Sequence, residues 1–143
     1  MRIPVEEYVT YVDPGKGYFG AARFDAGVLG ATWFGRKDAY RQLLQGNYGV
    51  VEMPWGSTRK NEKDIRHLCV WAGRLAERFD VSWMDDPGKS PKPIRHQQAL
   101  DRLTAAELTK LPKLKGHRKH VLCAVWMGLK HSGRLVACTP AGL

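Results

Sequence analysis

The chain reads as an α/β domain on a mixed five-stranded sheet, an antiparallel meander followed by parallel strands, with helices on its faces. Three observations predict this. Three short β-forming runs open the chain with only tight Gly- and Pro-containing turns between them. Helical and extended patterns then alternate, as βαβ units require. The 143 residues, 43% hydrophobic and 26% charged, suffice to enclose a core and are too evenly mixed for disorder. Residues 1–143 are therefore expected to form one domain.

Val9, Thr10, Tyr11 and Val12 are β-formers, and Pro14-Gly15 with Gly17 signals a turn, so Asp13 is expected at the tip of a buried strand. Residues 18–24 and 27–34 make the second and third strands around the turn Asp25-Ala26-Gly27, and Gly35 ends the meander. Residues 36–45 carry Ala39, Tyr40, Leu43 and Leu44 at helical spacing, with Gly46 as a C-cap. Tyr48-Gly49-Val50-Val51 is a fourth strand closed by Glu52. A charged lead at 59–64 enters a long amphipathic helix whose apolar positions are Ile65, Leu68, Cys69, Ala72, Leu75, Ala76 and Phe79. Residues 81–84 form a fifth strand, and a loop with Pro87, Gly88, Pro91 and Pro93 follows. Residues 94–110 are a thinly apolar helix, restarted by a capping box at Thr104-Ala105-Ala106-Glu107. A basic connector at 111–119 leads to the last helix, 120–131, which Gly133 stops.

Charge narrows the partners. Against 14 Asp and Glu stand 23 Lys and Arg, a net +9 and a pI near 9.7, which favours polyanions and nucleic acid first. No apolar run approaches the ~20 residues of a bilayer span, and residues 1–7 lack the apolar core of a signal peptide. The expectation is a cytoplasmic protein, bacterial or of a phage-infected cell, with no membrane partner. Cys69, Cys123 and Cys138 are an odd count without CxxC spacing, so neither a disulfide framework nor a zinc knuckle is expected.

Two strands that each end in an acid would set Asp13 and Glu52 at one edge of the sheet, an arrangement for holding divalent ions in phosphodiester hydrolysis. The competing readings are a turn-capping Asp before Pro-Gly and a solvated strand-end Glu. A charge directly after Val50-Val51 is nonetheless costly unless it reaches an edge or a cation. His117, His120 and Cys123 recur every three residues but fall short of a tetrahedral zinc set. His67 and His96 are expected on solvated helix surfaces, and His131 as a helix-end cation. The basic clusters are Arg59-Lys60, then Lys89, Lys92 and Arg95, then Lys110, Lys113, Lys115, Arg118 and Lys119. They read either as solvated faces or as a cationic rim that draws in a phosphate backbone. Arg59, Lys60, Lys89, Lys92, Lys115, Arg118 and Lys119 are thereby the candidate DNA contacts. Trp55 either stacks on an unpaired base or packs under its loop, and Trp71 and Trp126 belong to the core or a dimer contact.

Val12-Asp13-Pro14-Gly15 with Gly17-Tyr18-Phe19-Gly20-Ala21 resembles the first-strand motif of the RuvC-type Holliday junction resolvases, of ribonuclease H-like fold, where the Asp is a metal ligand. Val50-Val51-Glu52-Met53-Pro54 resembles their second acidic motif, residues 60–79 the helix after it, 86–92 the Pro- and Lys-containing loop of phage-type members, and 120–129 the last helix. The resemblance implies a metal-dependent endonuclease that cuts branched DNA such as four-way junctions. Two divalent ions, Mg²⁺ or Mn²⁺, would lie ~4 Å apart, with Asp13 bridging both and Glu52 holding one. It also implies a homodimer whose two-fold axis matches the near symmetry of a junction, joined through an exposed apolar face of the long helix after Asp64.

The chain departs from the family on the last helix, where two further ligands stand three residues apart and here read His120 and Cys123. The shared helical face survives; the hard oxygen that Mg²⁺ prefers does not. Three explanations stand side by side. His120 and Cys123 help hold a metal, with Mn²⁺ the better tolerated; or Cys123 is a small apolar residue in a protein that binds junctions with cutting weakened or lost; or Asp85 or Asp86 supplies the missing oxygen.

Overall fold

The computed structural model describes residues 2–53, 62–88 and 90–135. Trp55, Arg59, Lys60, Lys89 and Cys138 lie outside the described residues. Five strands, β1 (Tyr8–Pro14), β2 (Tyr18–Asp25), β3 (Val28–Arg36), β4 (Gly46–Glu52) and β5 (Phe79–Asp85), form one sheet in the order β3-β2-β1-β4-β5. β1, β2 and β3 pair antiparallel, while β4 runs parallel to β1 and β5 parallel to β4. This is the expected mixed α/β sheet, an antiparallel meander followed by parallel strands. The β2–β3 hairpin closes on Ala26 and Gly27, both at positive φ (47° and 84°), the twist that suits a two-residue hairpin turn.

The helices are α1 (Tyr40–Leu43), α2 (Glu62–Ala76), α3 (Lys92–Arg102), α4 (Ala105–Leu108) and α5 (Lys115–His131). Side-chain alternation along the strands sorts the apolar residues into two cores. Val9, Tyr11, Phe24 and Val50 pack with Ala99 and Leu103 around α3 and with Val121, Leu122 and Val125 of α5. Val12, Phe19, Ala21 and Val51 pack against Leu68, Trp71, Ala72 and Leu75 of α2. The same alternation settles the direction of the acids: Asp13 is two residues beyond Tyr11 and Glu52 two beyond Val50, so both face the α3/α5 layer.

Helix α5 is pressed onto β2 at two glycines. A Cβ on Gly20 would lie 2.5 Å from the His120 carbonyl oxygen, and one on Gly128 would lie 2.1 Å from the Phe24 ring. Just past its C-terminal end, Arg134 holds both Glu107 oxygens at 2.6 Å, and the Leu29 N–H donates to Glu107 Oε2 at 2.7 Å. Burial alone would push Glu107 up, but Arg134 and the backbone donors of Thr104 and Leu29 outweigh it and bring its pKa down to about 2. The expected capping box at Thr104 and Glu107 is formed.

Several boundaries differ from expectation. Residues 36–45 are not one helix. β3 continues through Gly35 to Arg36, a 3₁₀ turn (Lys37–Ala39) leads into the four-residue α1, and Gly46 opens β4 instead of capping a helix. The physical reason is burial: Leu44, 1% exposed and extended, anchors the chain in the second core. Phe79 begins β5, its ring filling the space beside Gly49. α3 starts at Lys92 because its first turn accommodates Pro93. α5 starts at Lys115, so Lys115, Arg118 and Lys119 lie on the helix and not in a connector.

Gly20→Ala must force α5 away from β2 and is expected to cost about 2 kcal/mol in denaturant unfolding. Gly116→Ala, where nothing lies within 4 Å of the added methyl, is expected to be neutral or to stabilise by up to about 1 kcal/mol.

Candidate active site

β1 and β4 run parallel with Val12 beside Val51, so the next residue along each brings Asp13 against Glu52. Both are buried, at 3% and 7% exposure, and their carboxyls are in hydrogen-bonding contact. Burial first, then the charge and hydrogen bond of Glu52, hold Asp13 well above the ordinary carboxylate range, against the opposing charges of Lys92 and Arg95. Glu52 Oε1 accepts a hydrogen bond from Arg95 Nη1 at 2.8 Å. Asp13 is thus an inward-facing strand residue, and Glu52 is not a solvated strand end.

The two residues singled out on the last helix lie close by, but each is engaged elsewhere. The His120 ring sits 4.1 Å from Tyr18 and 5.6 Å from Phe34, which also stacks on His117 at 4.1 Å. Burial, then Lys92, Lys119 and His117, keep His120 below its ordinary pKa. Cys123 is 1% exposed, and its Sγ lies 3.1 Å from His96 Nε2. Burial, then the charges of Asp13 and Glu52, push the thiol pKa up, so it stays protonated near neutrality. His96 is half-buried against α5 and not on a solvated surface as expected; burial with Arg95 and Lys92 lowers its pKa to about 4. His67 is exposed, as expected.

The neighbouring acids Asp85 and Asp86 have partners of their own. Asp85 Oδ1 lies 2.9 Å from Lys130 Nζ and 2.7 Å from His131 Nε2. Its burial would raise its pKa, but the hydrogen bonds from His131 and Lys130 bring it below the ordinary value. Asp86 Oδ1 accepts from the Gly88 N–H.

Two carboxyls in contact supply hard oxygen donors from two strand ends, and a cation bound there would take the place of the proton that Asp13 otherwise holds. That donor set suits one divalent ion, because Mg²⁺ commonly takes one or two protein carboxylates and completes its shell with water and phosphate. Among the described residues no group of three or more His, Cys, Asp or Glu side chains is placed to hold a metal. A neutral thiol turned to an imidazole is also a poor partner for a hard ion.

The cationic groups lie on both faces of the sheet. Lys92, exposed at the start of α3, acts electrostatically on Asp13, His120 and Cys123. Lys115 and Lys119 are exposed on the first turns of α5, while Arg118 is half-buried and donates to the Pro112 carbonyl. Sequence reasoning missed a further surface. Lys63, Arg66, His67, Val70 and Arg74 of α2 line, with Lys37, a cleft of about 520 Å³. A neighbouring cleft of about 380 Å³ shares Lys37 and His67 and reaches Gly15, Lys16 and Gly17 of the β1–β2 turn. The outward face of α2 is therefore cationic and not the apolar dimer surface expected; Val70 is its one exposed large apolar side chain among the described residues. Leu68, Trp71, Ala72 and Leu75 are taken up by the core beneath the helix, whereas Cys69, expected in the same apolar stripe, is exposed.

The raised pKa of Asp13 carries a stability consequence. A carboxyl that binds its proton more tightly folded than unfolded stabilises the fold below its unfolded pKa, and this is lost as pH rises through the folded value. Asp13→Asn is therefore expected to raise the melting temperature by about 3 °C near pH 8, with the gain vanishing near pH 4, as a pair of calorimetric scans would show.

Among solved structures the chain is similar to Thermus thermophilus RuvC, at 12% sequence identity and a TM-score of 0.48 over 89% of this chain and 97% of that one, a likeness too slight to assign an activity. No family model matches the chain, and no curated protein matches it.

Proposed function

We propose that this chain is a metal-dependent endonuclease of the crossover-junction type, which hydrolyses phosphodiester bonds in branched DNA such as four-way junctions. The observation that carries the reading is the buried contact between Asp13 and Glu52 at the ends of neighbouring parallel strands. Such a contact is a standing cost to the fold, and the chemistry that turns that cost to use is the binding of a divalent ion, Mg²⁺ or Mn²⁺. The bound ion would polarise the scissile phosphate and acidify an attacking water.

Around that ion the chain's own residues would act as follows. Asp13 and Glu52 hold it. Lys92 and Arg95 set positive charge beside the phosphate oxygens. His120, neutral at pH 7 because its pKa is held down, accepts a proton from water. Lys115 and Lys119, with the cationic cleft of α2 on the opposite face of the sheet, attract the phosphate backbone of adjoining arms. A homodimer would set one such site on each of two strands. The like charge on the α2 face favours DNA over a second copy as its neighbour.

Cys123 supports a second reading, a junction-binding protein of the same fold with little hydrolysis, because a buried neutral thiol stands where the resembling family carries a carboxylate. Labelled four-way junctions, assayed for nicking in Mg²⁺ and Mn²⁺ beside a mobility-shift measurement, separate the two. The nuclease reading expects cutting that a chelator abolishes. It also expects Asp13→Asn and Glu52→Gln each to slow cutting by about 100-fold or more, with junction binding retained. Binding without cutting in either metal selects the second reading, and absence of junction binding overturns both.

A further inference from the structure

We infer that Arg95 occupies the active site as a tethered cation in place of a second metal ion, so that each chain takes one divalent ion and not two; this rests on the nuclease reading of Asp13 and Glu52. Arg95 is 5% exposed, on the inner face of α3 one turn before Ala99. Its Nη1 donates to Glu52 Oε1 at 2.8 Å, its Nε donates to the Ser90 carbonyl at 3.1 Å, and its guanidinium lies 5.5 Å from the centre of the Trp126 ring. A carboxylate, a carbonyl and an aromatic face thus hold one permanent charge in place.

A buried arginine that did no more than neutralise Glu52 would be an ordinary ion pair. Three features point further. Its charge acts on Asp13 and Cys123 as well as on Glu52, so its influence is not confined to its ion-pair partner. Of the groups expected to ligate a second ion, Cys123 is turned to His96 and His120 is an imidazole packed against the rings of Tyr18 and Phe34, so neither adds a carboxylate to Asp13 and Glu52. Finally, a guanidinium does not shed its proton in a protein, and the two carboxylates carry at most two negative charges, already outweighed by Arg95 together with one doubly charged ion, so a second ion would be repelled. The residue types are consistent with one another: a neutral thiol where a carboxylate is usual removes one negative charge, and Arg95 supplies a positive one nearby. Guanidinium also suits phosphate oxygens geometrically, so the tethered cation can take over charge stabilisation but not water activation, which stays with the single ion.

The test is the number of Mn²⁺ ions bound per chain, read by titration calorimetry on the full chain without DNA. The wild type is expected to bind one ion, and Cys123→Asp with Arg95 intact is also expected to bind one. Cys123→Asp combined with Arg95→Met is expected to bind two. Two ions in the wild type, two in Cys123→Asp alone, or one in the folded Arg95→Met double variant overturns the inference. Should the Met variant fail to fold, Cys123→Asp with Arg95→Lys keeps the charge: one ion supports the tethered-cation role, two overturns it. A wild type that binds no ion removes the metal reading of Asp13 and Glu52 itself, an outcome separate from those that strike at Arg95 alone.

Discussion

Two carboxyl side chains pressed together away from water are the constraint on which the rest of this structure turns. Ionised acids resist such a place, and unless compensated they disfavour the folded state. The compensation here has three parts. Asp13 holds its proton more tightly than an ordinary carboxyl, Glu52 is paired with Arg95, and Lys92 adds a further positive charge from the start of α3. None of these would hold without the parallel pairing of β1 and β4, whose inner residues are buried in cores on both faces of the sheet. An electrostatic penalty kept inside a well-packed sheet lowers the stability of the fold, a cost of the kind that functional sites commonly carry.

The two helices over this face have different tasks. α5 is brought against β2 by the absence of side chains at Gly20 and Gly128, which sets His120 and Cys123 over the acid pair's neighbourhood. α3 lies along α5, joined to it by His96 to Cys123 and by the Trp126 indole N–H to Gln98, and so delivers Arg95 to Glu52. The inner face of α3 is thereby partly polar, which is why its apolar pattern is sparse. On the opposite side of the sheet Lys63, Arg66 and Arg74 of α2 line a cationic cleft with Lys37. Exposed cationic side chains thus lie on both faces of the sheet, while Asp13 and Glu52 are buried on one.

Much of the sheet was legible because strand signals are local. Gly- and Pro-bounded β-forming runs marked the meander, and the placement of one acid at each of two strand ends identified Asp13 and Glu52 as residues that would meet. The long helix and the capping box at Thr104 were equally local. Where expectation failed, a tertiary contact outweighed the local pattern. Leu44 is drawn into the second core and breaks the helical spacing of residues 36–45. Phe79 fills the space beside Gly49 and so begins a strand. His96 looked solvated because its helix is thinly apolar, yet it is half-buried against Cys123. The role of Arg95 had one available signal, its position one turn before the buried Ala99.

What the sequence alone determined is the succession of strands, the placing of an acid at the end of each of two of them, and a surplus of positive charge, since turn chemistry, alternation and composition depend on near neighbours. Only the tertiary structure decided that the two acids touch, that Arg95 joins them, that Cys123 turns to His96, and that the long helix shows a cationic face. Those outcomes depend on the distances between elements far apart in the chain. Such distances are fixed by which side chains share a core and how closely a helix can approach a strand.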